Sequence, residues 1–263
     1  MTRKLKPTLR VALYLWLPLG VLLLWWFGPA QKALYFPSLK VVVDAFNKEW
    51  LGNGAMQLRT DLIPSVEHVV IGYAIALVLG IILGLVLSRV TFLYNLSLPL
   101  ITFFRALPSP ALIPALLLIF GLGGNFKIAI IAFGSTWPVL LNAYDGFRSV
   151  DPIQLDTARS YQLTRAQRYL QVMLPAASPQ IVAGARTALQ VALLLMVASE
   201  FLASTEGIGY ALNLAQVNFD TPGLWSGMVL LGVLGIVFNV LFLVVERVVM
   251  GWYIGMRARE AKA

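Results

Sequence analysis

The 263-residue chain contains no cysteine, which removes disulfides, thiolate metal sites and a cysteine nucleophile together. It has a single histidine, His68, so no histidine cluster can be assembled. No Gly-x-x-x-x-Gly-Lys-Ser/Thr run is present to cradle nucleotide phosphates. Any nucleotide chemistry therefore belongs to a partner. Charge is also scarce, at 12% of residues against the roughly one quarter of a soluble domain. With no clustered nucleophile, base or metal-ligand set, an intramembrane enzyme has nothing to work with.

What the chain has instead is apolar length. Hydrophobic residues make up 59% of the sequence, in runs of about 17 to 25 that match the hydrocarbon thickness of a bilayer. The runs are too long and too unalternating for barrel strands, so they are expected to be helices. They fall at 11–27, 68–87, 98–120, 128–143, 181–202 and 224–249. The first has the basic start of a signal peptide but exceeds the usual apolar core and offers no small-x-small cleavage site, so it is read as an anchor. The third is interrupted by Pro108, Pro110 and Pro114 and is the least regular.

The formal charge of +8 is a topology signal. With the amino terminus inside, fifteen lysines and arginines fall on the cytoplasmic side against five outside (Lys32, Lys40, Lys48, Arg59 and Lys127). Both termini are then cytoplasmic. Outer acidic residues offset those five cations, so neither a nucleic acid nor an anionic substrate is implied.

Between the first two spans, Ser38 is expected to cap an amphipathic helix over 39–50 whose face of Val42, Ala45, Phe46 and Trp50 lies on the membrane surface. Gly72, Gly80 and Gly84 in the second span, and Gly227, Gly232 and Gly235 in the sixth, allow close helix packing, within the bundle or along a dimer seam. Trp25, Trp26, Trp252 and Tyr253 sit at span ends as interface anchors.

The one long polar insertion, 151–175, carries two helix-start signals. Asp151-Pro152 pairs a cap with proline at the first helical position, and Thr164-Arg165-Ala166-Gln167 has capping-box spacing. Two short helices are predicted, about 152–161 and 165–174, with a tight turn near Gln162-Leu163 and a stop at Pro175. Ser178-Pro179 then launches the fifth span. A helix exposing Leu155, Ala158, Tyr161 and Leu163 beside Arg159 and Arg165 gives a soluble partner something rigid to grip. A loop lying on the lipid surface is the plainer alternative.

The order Asp156-Thr157-Ala158-Arg159-Ser160, followed some dozen residues later by Leu174-Pro175, resembles the Glu-Ala-Ala loop of ABC-importer permeases. The match continues in Phe104-Arg105, Pro108, Ile113-Pro114, Phe120-Gly121-Leu122-Gly123, Pro138 and Gly146. It extends through Glu200, Gly207-Ile208-Gly209-Tyr210, Glu246-Arg247 and Trp252, covering residues 65–252. It looks like the nitrate, sulfonate, taurine and bicarbonate branch. Asp156, Thr157 and Gln162 depart from the motif, which has glutamate, alanine and glycine there, and His68 stands where arginine is common.

The resemblance implies an all-α membrane protein of the type I ABC-importer permease kind, with six spans and a coupling helix between the fourth and fifth. It divides the chain into an anchor and outer segment (1–64), a permease core (65–252) and a cytoplasmic tail (253–263). It implies ATPase coupling through Asp156, Thr157, Ala158, Arg159, Ser160, Gln162, Leu163, Leu174 and Pro175. No cofactor is expected on this chain, ATP and Mg belonging to the ATPase. The implied partners are a second copy of the chain, a cytoplasmic ATPase dimer, a periplasmic or lipid-anchored solute-binding protein and the lipid of a bacterial inner membrane.

For the pathway or gate the candidates are Ser109, Pro110, Pro114, Asn142, Gln190, Ser199 and Glu200, on the argument that kinked backbone and polar groups at membrane depth border a cavity. Glu200 is read either as a helix-to-helix bond or as part of an outer gate. The alternative from another class is an ion-gradient-driven secondary transporter, of whose signatures only the broken third span is present.

Overall fold

In the computed structural model every secondary-structure element among the described residues is helical. The structure describes residues 16, 19–27, 35–52 and 57–253. Residues 19–27 form α1, the described part of the expected first span. The helices that follow are α2 (Leu39–Phe46), α3 (Ile63–Arg89), α4 (Thr91–Ala106), α5 (Ile113–Phe120) and α6 (Gly124–Arg148). Then come α7 (Pro152–Ser160), α8 (Arg165–Gln167), α9 (Leu174–Ala203), α10 (Ile208–Val217) and α11 (Thr221–Val249). Most of the tail, 254–263, lies outside the described residues.

Four helical stretches are long and apolar enough to cross a bilayer: Leu58–Arg89, Gly124–Arg148, Arg165–Ala203 and Thr221–Val249. A fifth unit is the pair α4 and α5, which together pass the same test but are bent by 92°. The single run expected at 98–120 is thus corrected to two helices, beginning earlier at Thr91. The chain breaks at Leu107 and Pro108, whose extended backbones end α4. Pro110 and Pro114 break nothing, because each opens a helical segment where its missing N–H is not needed.

The core is made by α3, α6 and α9. Gly72, Gly80 and Gly84 line the side of α3 that meets α6. A Cβ at Gly80 would lie 2.6 Å from Val139 Cβ, and one at Gly84 2.7 Å from Ala143 Cβ. These glycines therefore belong to the bundle. On α11 only Gly227 is close-packed, against Leu212, while Gly232 and Gly235 face open space within this chain.

The outer helix also departs from expectation. Ser38 makes no side-chain cap bond, and α2 runs on through a wider π turn, Asn47–Leu51. Val42 and Trp50 are buried, not laid on lipid. Trp50 donates to Ser226 Oγ at 3.2 Å, and Ser226 donates to Glu49 at 2.6 Å, fastening this helix to α11. Trp25, expected as a lipid anchor, instead donates to the Pro37 carbonyl and packs with Phe36 and Trp225.

Candidate functional site

At one end of the bundle α6 and α9 are joined by the polar segment. Asp151 accepts from the Ile153 N–H at 2.8 Å and starts α7 behind Pro152. The end of α7 is a left-handed cap in which Gln162 itself takes φ +53°. Its N–H donates to the Arg159 carbonyl and that of Leu163 to the Ala158 carbonyl, the paired bonds of a Schellman turn. The bend therefore stays at Gln162 and is not passed to Leu163. Thr164 and Gln167 then form the full capping box.

Two expectations about this segment are corrected. Pro175 does not stop the second helix. The turn from Arg168 to Met173 is a π turn, and it makes room just ahead of Pro175 for the ring that an α-turn would bring against the preceding carbonyl. The helix continues into α9, and Pro179 sits inside it without launching it. Ala158 is also not offered to a partner, being 3% exposed. Leu155 packs against the cluster of Ala143, Phe147, Met173 and Ala177. This inward face holds α7 on the bundle. The bare face carries Ile153, Asp156, Thr157, Ser160 and Tyr161. Leu174 is exposed and Pro175 half-buried at the start of α9.

Deeper in the bundle, Ser109 and Asn142 come together on a cavity of about 390 Å³ that Arg105, Trp137, Pro138 and Thr187 also line. Pro110, Pro114 and Gln190 are not among its lining residues. Ser199 is fully buried and donates to the Met196 carbonyl in its own helix.

At the opposite end from α7 stands an arrangement that the sequence flagged by one residue only. Glu200, fully buried, accepts through Oε2 from Ser65 Oγ at 2.8 Å and from the Gly209 N–H at 3.0 Å. Ser65 Oγ in turn accepts from the Ile208 N–H at 3.0 Å, and Asp61 accepts from the Gly207 N–H at 3.1 Å. Three successive amides are thus held by three side chains, Ser65 from the start of α3 and Asp61 from the π turn Leu58–Leu62 that leads into it. Gly207 has φ +105°, and a Cβ there would lie 2.4 Å from Glu200 Cδ, so both conformation and space require glycine. His68 Nδ1 lies 3.7 Å from Glu200 Oε1, and neither atom has a hydrogen-bond partner among the described residues. Lys127, 1% exposed, reaches Glu206 at 3.4 Å beside the same loop.

Glu200 thus bonds one helix to another through Ser65, the geometry that the first of its two readings requires. Sequence reasoning missed Asp61 and Ser65. Their signal was the polar stripe Asp61, Ser65, His68 at i, i+4 and i+7 entering an otherwise apolar helix.

Comparison with known proteins adds four findings. The family model described as "Binding-protein-dependent transport system inner membrane component" matches residues 76–250. A protein of Escherichia coli strain K12 named as an aliphatic sulfonates transport permease is 31% identical over 259 residues, covering 97% of each chain. The taurine transport system permease of the same strain is 26% identical, over 89% of this chain and 88% of that one. In fold, the chain is similar to one from the MetNI methionine ABC transporter in an inward-facing conformation. The TM-score is 0.64 at 18% identity, over 75% of this chain and 99% of the other.

Proposed function

The chain belongs to the family of binding-protein-dependent transport system inner membrane components and is an ABC-importer permease subunit, and we propose that two copies of it form the pathway. In this reading a cytoplasmic ATPase pair engages α7, a solute-binding protein meets the opposite end, and both termini face the cytoplasm with six spans in a bacterial inner membrane. The chain supplies shape and gating, and ATP with Mg is handled by the ATPase.

The observation that carries the coupling role is the two-sidedness of α7. Its Leu155 and Ala158 side is locked into the bundle and its Ile153, Thr157 and Tyr161 side is bare. A helix that a partner is to push must be fixed to what it moves and open to what moves it. The cavity at Arg105, Ser109, Asn142 and Thr187 is the polar stretch of the pathway in this proposal.

The names of the relatives make small organic sulfonates, taurine among them, the first cargo to test. The chain, reconstituted with its ATPase and binding protein, is assayed for uptake of labelled taurine and an alkanesulfonate. Uptake that requires ATP and survives dissipation of ion gradients is expected. Uptake that follows the gradient without ATP refutes the ATP-driven reading, whereas ATP-dependent uptake of some other solute corrects the cargo alone.

A further inference from the structure

Beside α7 lies a pocket set apart from its bare Ile153, Thr157 and Tyr161 side. Arg89 at the last position of α3, Arg159 on α7, and Arg165, Arg168 and Tyr169 at the start of the long helix surround a cavity of about 170 Å³. That is several times the roughly 30 Å³ share of a water molecule. No carboxylate lines it. Asp156 pairs with Arg159 at 2.9 Å, but both side chains are about two-thirds exposed and the pair is a weak, solvated one.

Among the described residues, none of the pocket's arginines but Arg159 is in an ion pair. Arg168 Nε is buried without a hydrogen-bond partner. Arg89 is turned to neutral groups, its guanidinium 5.7 Å from the centre of the Tyr169 ring and one nitrogen on the Met173 sulfur. Gathering like charges around a hole, with one donor desolvated and unpaired, costs free energy unless something negative fills it. The planar fork of arginine fits a tetrahedral oxyanion bidentately, and several forks converge here.

We propose that this pocket binds a phosphate group. Its level in the molecule favours the phosphodiester of an anionic lipid, since Arg89 is where α3 leaves the apolar layer and cytoplasmic anionic headgroups gather near such basic residues. Inorganic phosphate offers the same chemistry from solution. Leu155 and Arg159, on the pocket, stand at i and i+4 on one side of α7, apart from the Ile153, Thr157 and Tyr161 side. A bound phosphate would fix α7 to the end of α3 from within, so lipid charge would set how firmly the segment is seated.

Binding is read on the full chain itself, so failure here leaves the transport reading standing. The purified protein is placed in phosphatidylcholine nanodiscs with increasing phosphatidylglycerol, and retained lipid is counted by native mass spectrometry. In a parallel arm, inorganic phosphate is titrated calorimetrically into pure phosphatidylcholine nanodiscs. We expect phosphatidylglycerol to be retained preferentially by the wild type and about tenfold more weakly by Arg168→Gln and Arg89→Gln. Arg247→Gln, which removes an exposed arginine on α11, should change nothing.

Heat from inorganic phosphate that Arg168→Gln abolishes, without lipid preference, would assign the site to free phosphate. A wild type that shows neither lipid preference nor phosphate heat overturns the proposal, whatever the variants do. So does an Arg247→Gln variant as impaired as Arg168→Gln.

Discussion

Replacing Glu200 tests whether the end of the bundle opposite α7 is held by a bond network or worked as a gate. In Glu200→Ala the Gly209 N–H loses its acceptor, whereas Ser65 keeps one, because the Asp61 carbonyl lies 2.9 Å from its hydroxyl. One buried amide left unpaired after losing a charged acceptor costs about 2–3 kcal/mol. The emptied methylene and carboxyl volume among fully buried neighbours adds about 1–2 kcal/mol. Removing a buried carboxylate whose basic neighbour His68 stands 3.7 Å away without a hydrogen bond returns some desolvation energy, so the net cost is about 3–4 kcal/mol. For a chain of this size that lowers the melting temperature by roughly 6–15 °C.

Glu200→Gln keeps one oxygen for the two donors and puts an amide beside them, a loss of about 1–2 kcal/mol. The assay is tryptophan-fluorescence melting in detergent, paired with uptake. Ser65→Ala combined with Glu200→Ala should cost less than the sum of the two by about 1 kcal/mol, since they share a bond. An alanine variant that melts within about 2 °C of the wild type would refute the network. A glutamine variant with unaltered melting and abolished uptake would transfer Glu200 to gating.

Three further outcomes follow from the geometry. Gln162→Gly should raise stability by about 1 kcal/mol, because glycine holds φ +53° without the steric cost a side chain carries there; slower amide exchange at Leu163 and Thr164 is the readout, and unchanged or faster exchange contradicts it. In this cysteine-free chain Thr157→Cys should react rapidly with a maleimide and crosslink to the partner ATPase, while Ala158→Cys, at a position 3% exposed, should label slowly. Equal labelling would mean that α7 is rotated from its place here. Gly84→Val should cost about 3 kcal/mol or prevent assembly, since even a Cβ falls 2.7 Å from Ala143 Cβ and 2.8 Å from the Leu140 carbonyl; Gly235→Val, beside open space, should leave the melting of the isolated chain unchanged.

Some of what is decided within a few residues could be read from the sequence, though the cap expected at Ser38 did not form. The cap at Asp151 and the box at Thr164 and Gln167 formed as their spacing required, because each is a contact between near neighbours. The bend at Gln162 was legible as a place but not as a conformation, since a complete Schellman pair can hold a residue that glycine would have announced. Pro175 misled because proline's effect depends on the hydrogen-bond register of the turn before it, and that register shifted between Arg168 and Met173. The partners of Glu200 were hidden for a different reason. Ser65 lies 135 residues away, and only the packing of α3 against α9 brings them together. Likewise the apolar face of α2 announced that it would be covered, but lipid and α11 are equally good covers until Ser226 is placed beside Trp50.

Because the stretch Arg165–Ala203 is helical throughout its 39 residues, on the order of 58 Å of stiff rod separate the ends at 1.5 Å per residue. Tilting such a helix as one body by roughly 5° swings its far tip through about 5 Å, less whatever the π turn at Arg168–Met173 and the prolines Pro175 and Pro179 absorb by bending. In the proposed importer a nudge of small angular size at α7 would be magnified into a displacement as wide as a small solute. The tip does not travel alone, for the loop pinned at Glu200 must ride with it and drag the end of α3 along.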